Sequence, residues 1–410
     1  MKRTIFLIFI TFSTTLVITF NFKLISGRPL SPTNPCGPEL VSGGVSKDGI
    51  PAIDSPKFIT IEEFESTIGE DYSDKFILGV EINGSARAYP IDILTWHEIV
   101  NDRIGDATTF SVTYCPLTAS GILFHTSSIG GSTLGTTGYL YENNLVFYDR
   151  KTDTFWNQMY GIVWCGELDG ALDRGNMVET TWKTWKTLYP DTLILSRNTG
   201  YHKNYNYNPY GSYDSRDTIF FPSAYRFGKE PYNWFPIKER SYILQLEAQT
   251  FVFPFQELMK TPIVNVSYGT SASILVSNPN THLVVAFNSE LPDGTILDFT
   301  KGTSLNNDEF SFQDKSGTTW NLKGKAISGP LKGQSLKPLP GYIAYWFAAS
   351  VFYTQSKIYI NESFVDHPTG AYLIPQPSNQ AQTTSGLMIL ESLFFAIVIL
   401  AVLRIRRKIV

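Results

Sequence analysis

Apolar runs rich in β-branched and aromatic residues, Phe76 to Val80 and Ala86 to Tyr89, flank Asn83-Gly84, a strong hairpin signal. Pro90 then opens a predicted helix in which Ile91, Ile93, Leu94, Trp96 and Val100 recur at helical spacing up to Asn101-Asp102. Alternating strands are predicted at Thr109 to Tyr114 and Gly121 to His125, joined by Cys115-Pro116-Leu117-Thr118, and a Gly/Thr/Ser stretch then leads into Leu145 to Asp149. Two further short helices are predicted. Ile61 to Thr67 follows a capping Thr60, and Thr181 to Tyr189 carries Trp182 and Trp185 and is stopped by Pro190. The pattern is mainly β, an α+β chain with few short helices.

The pattern also repeats. Phe147, Asp149, Trp156, Gly161, Gly166, Leu168, Gly170 and Leu172 are echoed, within one residue of spacing, by Phe312, Asp314, Trp320, Gly324, Gly329, Leu331, Gly333 and Leu336. Trp182 and Tyr189 are echoed by Trp346 and Tyr353, and Tyr89-Pro90 by Phe253-Pro254. This predicts two β-rich units of roughly 120 to 130 residues, each large enough to hold a core. The expected organisation is a Pro/Gly-rich linker over 27–60, unit one over 61–200, a Tyr-rich irregular connector over 201–236, unit two over 237–360 and a polar stalk over 361–386. The repeated Asp, Trp and Gly positions are expected to maintain the fold through Asx turns, buried indoles and tight turns.

The two ends place this body. Ile5 to Phe20 is an uncharged apolar run behind Lys2 and Arg3, which predicts a signal peptide or signal anchor over 1–26. Leu387 to Leu403, broken by Glu391 and closed by Arg404, Arg406, Arg407 and Lys408, predicts a transmembrane helix over 387–403 and a basic cytoplasmic tail over 404–410. The main domain is therefore expected outside the cytoplasm, held at the cell membrane. With 43% hydrophobic residues in 410 a sizeable core is expected, and 17% charged with 14% aromatic suits a β-rich body. Net charge is −4 and six basic residues lie at the extreme termini, which argues against a nucleic-acid partner. Cys36, Cys115 and Cys165 are too few for a disulfide framework, and their odd number leaves at least one thiol free or paired between chains.

Lys47 to Pro56, Arg87-Ala88-Tyr89-Pro90, His97 to Asp102, Tyr114-Cys115-Pro116-Leu117, Tyr148-Asp149-Arg150, Trp156-Asn157-Gln158 and Asn208-Pro209-Tyr210 occur in an order that resembles the domain of unknown function family 3179. The resemblance covers about Gly43 to Ile360 and implies an exported or membrane-anchored prokaryotic protein. Many relatives carry Cys-Pro-Leu-Cys where this chain has Cys115-Pro116-Leu117-Thr118, so no dithiol is implied here.

Unit one carries the candidate chemistry. His97, Glu98, Asn101 and Asp102 follow Leu94, whereas Met259, Lys260 and Pro262 follow Leu258, and unit two has no cysteine. A thiol at Cys115 beside His97 would be a nucleophile or soft-metal ligand, with Asp102, Asp149 or Gln158 to orient the ring. His97, Cys115 and His125 are the candidate ligands for copper or another transition metal. The alternative is a packed Cys and His in a non-catalytic surface module that binds a small molecule, glycan or protein through the connector's aromatics or Trp182 and Trp185. His-Glu-x-x-Asn lacks the second imidazole of a zinc protease, and neither a phosphate loop nor a Gly-x-Ser-x-Gly elbow occurs.

Overall fold

The computed structural model describes residues 36–105, 108–221, 233–278, 281–300 and 311–368. Both predicted membrane segments lie outside these residues, and no described helix is long and apolar enough to cross a membrane. The architecture is mainly β, with several sheets and a few short helices.

Local chemistry sets the elements. Asn83 and Gly84 take the left-handed conformation (φ 53° and 81°) that joins the strands Phe76–Ile82 and Ser85–Pro90. Thr60 caps the helix Ile61–Ile68 by accepting from the Glu63 N–H at 3.2 Å. The helix after Pro90 is shorter than its periodicity predicts, spanning Ile91–His97. Glu98 turns into the left-handed region (φ 56°), and the β-branched Ile99 and Val100 start the strand Ile99–Ile104. His97 and Asn101 thus sit on different elements and not on one helical face.

The two parts of the chain are threaded alike. One five-stranded sheet is ordered 178–181, 76–82, 85–90, 193–195, 58–59, and another is ordered 341–345, 240–246, 249–254, 357–360, 363–366. In both, the fourth strand joins the third in parallel, at Ile194↔Ala88 and Ile358↔Val252. Each is followed by a four-stranded antiparallel sheet, containing Ile99–Ile104 in the first half and Ile263–Tyr268 in the second. The same anchors recur inside. Trp156 Nε1 donates to Asp149 Oδ2 at 3.4 Å and Trp320 Nε1 to Asp314 Oδ2 at 2.9 Å, with both indoles buried. Asn101 pins Leu134 by a pair of side-chain to backbone bonds (Nδ2 to the carbonyl 2.9 Å, amide to Oδ1 2.8 Å), and Asn265 pins Phe299 the same way (2.9 and 3.1 Å).

The halves share one core, in which Phe147, Trp156 and Met159 pack with Ile243, Tyr342 and Phe352. Polar bonds cross the same boundary: Tyr353 Oη donates to the Met159 carbonyl at 2.7 Å, and the buried Glu179 carboxylate pairs with Arg240 and His282. Trp182 and Trp185 are buried here, so neither is a sugar-stacking platform. Residues 36–59 are more than a linker. Val41 pairs with Leu140, Ile53 bonds to the Ile99 carbonyl and Asn101 bonds back to the Ile53 carbonyl, so this arm is part of the first half. At the other end Ser363–Asp366 adds a strand to Lys357–Ile360, which takes the domain past the expected start of the stalk.

Cys36 and Cys165 form a disulfide, placing within one chain a thiol that the cysteine count left free to pair between chains. Cys115 is the remaining thiol and is buried. Protein denatured without reductant is therefore expected to react with one equivalent of alkylating agent, and after reduction with three; three equivalents without reductant would contradict the pairing.

Candidate functional site

The thiol and the imidazole expected to act together are held by different partners. Cys115 ends the strand Thr108–Cys115, is 2% exposed, and directs its Sγ to the Asn143 carbonyl at 3.8 Å. His97 Nδ1 lies 2.8 Å from the Pro51 carbonyl, which only accepts, so Nδ1 carries the proton. Nε2 then accepts from Tyr205 Oη, also at 2.8 Å. Burial holds this imidazole below its ordinary pKa, which agrees with a neutral ring whose two nitrogens are both occupied.

The charge that bears on the thiol is Glu98. Its carboxyl is fully buried and accepts from Tyr210 Oη at 3.0 Å; burial pushes it up to about 7, against the pull of that hydrogen bond. The Cys115 thiol is pushed up to about 11, mainly by burial and then by the Glu98 charge, although Thr118 donates in the opposite sense. A thiol so placed is almost wholly protonated at neutral pH and covered, the reverse of a reactive cysteine. The Tyr-rich connector provides the cover. Tyr205 docks on His97, Tyr210 on Glu98, and Tyr213 Oη donates to the Leu117 carbonyl at 2.8 Å.

The other expected residues serve the frame. Asp149 gathers the Thr152 amide and hydroxyl (2.9 and 2.6 Å) and the Trp156 indole, and these bonds keep it below the ordinary carboxylate range although burial alone would raise it. Gln158 bonds to Thr113, Ser120 and Asn144 in a buried network. His125 pairs with Phe110 while Cys115 pairs with Ser120, five positions along the same ladder and roughly 17 Å away. Among the described residues no three His, Cys, Asp or Glu side chains are gathered to hold a metal ion. The thiol, the imidazole and His125 do not form the centre that copper would need.

Asp102 leads instead to a cleft of about 460 Å³ in the first half, bounded by Asp54, Phe58, Arg87, Asn101, Ser111 and Thr133 among others. Both Asp102 oxygens accept from Arg87 Nη1 at 2.5 Å, Oδ2 also takes the Tyr89 hydroxyl at 2.6 Å, and Oδ1 the Arg103 amide at 2.7 Å. This saturates the carboxylate and fixes the guanidinium, which lies over the Phe58 ring at 4.4 Å. Opposite, Asn101 Nδ2 donates to Asp54 Oδ1 at 2.7 Å and Arg150 Nη1 reaches the same oxygen at 2.7 Å. Ser111 donates to Asn101 Oδ1 at 2.6 Å.

Sequence reasoning missed Asp54, Arg87 and Ser111 as site residues and gave Asp102 a different task. The echo of Tyr89-Pro90 by Phe253-Pro254 carried a signal for them. By strand register Arg87, Tyr89, Asp102 and Ser111 correspond to Phe251, Phe253, Val266 and Ile274, so the polar set belongs to the first half alone.

The family model described as "Protein of unknown function (DUF3179)" matches residues 47–356. No curated protein and no solved structure gives a match.

Glu98 sets a pH dependence. A carboxyl raised from 4.5 to about 7 on folding binds more protons in the folded chain between those values, so its contribution is whole below about 4.5 and is lost as pH rises through about 7, by roughly 3 kcal/mol. Glu98→Gln should keep the Tyr210 bond and flatten this fall. Denaturant titrations at pH 5 and pH 8 measure it, and an unchanged slope between the two would show that Glu98 is charged in the folded chain throughout.

Proposed function

The chain belongs to the DUF3179 family, and we propose that it is a non-catalytic binding module whose ligand enters the first-half cleft. One observation carries the reading: where the second half packs Phe251, Val266 and Ile274 into its cores, the first half keeps a charge pair and a serine beside open space. A buried ion pair is seldom the most stable choice for such a position. Its retention beside a cleft, and not in the core of the copy without one, supports a binding role. The matching strand orders and registers support reading the halves as a duplicated unit, one copy of which kept a site.

The competing thiol or metal redox reading is weakened by the buried, protonated Cys115 and by the occupied His97. The extracytoplasmic location remains part of the proposal. It is supported by the Cys36–Cys165 disulfide, which suits an oxidising compartment. Thiol trapping in intact cells is the check, and finding no bonded fraction would remove that support.

Exchanging the pair for its second-half counterparts tests the cleft. The triple variant Arg87→Phe, Tyr89→Phe, Asp102→Val, which also removes the buried hydroxyl that Asp102 satisfies, should fold, with stability equal to the parent or up to about 4 kcal/mol higher if the new side chains pack well. In thermal-shift measurements across sugars, amino acids and organic acids, the parent should be stabilised by at least one class and the variant by none. A folded variant that keeps the parent's ligand-dependent shift would place the ligand elsewhere.

A further inference from the structure

Resting on that binding reading, we propose that the cleft takes an uncharged polyhydroxylated ligand, a neutral mono- or disaccharide. Charge is the first constraint on the ligand. The charged groups that line the cleft balance in sign, Asp54 and Asp102 against Arg87 and Arg103, and Arg87 is paired with Asp102 at 2.5 Å while Asp54 is paired with Arg150 at 2.7 Å. Arg103 directs its Nε to the Gly105 carbonyl at 3.4 Å. A carboxylate or ammonium group brought into such a cleft meets no net counter-charge, yet it still loses hydration. An amino acid or an organic anion is therefore a poor fit.

The unspent hydrogen-bonding capacity is mixed in sign. Arg87 uses Nη1 for its protein partners, so Nη2 and Nε remain as donors. Asp54 spends Oδ1 on Asn101 and Arg150, which leaves Oδ2 as an acceptor on a carboxylate about half exposed. Ser111 gives its proton to Asn101 and keeps its lone pairs, whereas Thr133 accepts from Arg150 at 3.3 Å and keeps its proton. Donors and acceptors thus stand side by side on groups whose orientation is already fixed. A hydroxyl, which both donates and accepts, satisfies such a wall, and a ligand carrying several satisfies it several times. Phe58 and Pro56 add an apolar flank against which the C–H face of a sugar ring can lie. A volume of about 460 Å³ falls in the range of small-molecule sites.

The probes are neutral mono- and disaccharides, free amino acids, and small carboxylates and phosphate, titrated calorimetrically into the full-length chain in a detergent without a sugar headgroup. Saccharides alone should bind, with an affinity that changes less than twofold between 50 and 500 mM salt, because no net charge is recognised. Asp54→Ala, at a half-exposed position that spares the fold, should weaken binding roughly tenfold or more, and Arg87→Gln should do the same. Binding of an amino acid or anion instead, lost in Arg87→Gln, would overturn the ligand class and leave the cleft as the site. Binding of nothing in the set would overturn the saccharide proposal. Saccharide binding that survives both substitutions would move the site elsewhere and overturn the cleft reading itself.

Discussion

The Arg87–Asp102 pair is the constraint around which the first half is arranged. A guanidinium and a carboxylate with 19% and 4% of their side-chain surfaces exposed must each be satisfied locally, because either one alone would be costly to desolvate. Tyr89, the Arg103 amide and the Arg103 carbonyl complete the set. The side chains that serve this pair cannot also fill the space beside it, and the cleft is that space. In the second half Phe251, Phe253 and Val266 face no such demand and close into a core with Leu244, Leu275 and Tyr359.

The shared elements show what the difference is built upon. Asn101 and Asn265 hold Leu134 and Phe299 by the same pair of bonds, so an asparagine at this place is a fold requirement in both halves. In the first half alone it also touches Asp54 and Ser111, joining the frame to the cleft wall. The N-terminal arm supplies Asp54 and is fastened by the Cys36–Cys165 disulfide, a bond that Ser328 in the second half cannot make. The connector takes the opposite side. Three tyrosine hydroxyls fix it over His97, Glu98 and the Cys115 turn, which explains why titratable and nucleophilic groups in that region are covered.

How much of this was legible in the chain depends on the range of the interaction. Asn83-Gly84, Thr60 and Pro90 act within a few residues, and each produced the element its chemistry predicts. The helix overran in prediction because Ile99 and Val100 fit a helical stripe as well as a strand, and only the left-handed Glu98 decides between them. The candidate site depended on contacts far apart in sequence. Tyr205 claims His97 from 108 residues away and Arg150 claims Asp54 from 96, so no local spacing could report either. Asp102 is legible as a functional residue, but its partner Arg87 lies on a different strand and emerges only from the folded arrangement.

Asn101 and Asn265 offer an internal control for the central claim, since they occupy matched positions and make matched bonds. With asparagine side chains labelled with nitrogen-15, the Nδ2 resonances of both can be followed while a saccharide is titrated into the protein. The account predicts a saturable shift at Asn101, whose Nδ2 is bonded to Asp54 beside the ligand, and none at Asn265, which is bonded to Phe299 in the apolar half. A shift at Asn265, or one at Asn143 under the connector with Asn101 unmoved, would contradict it.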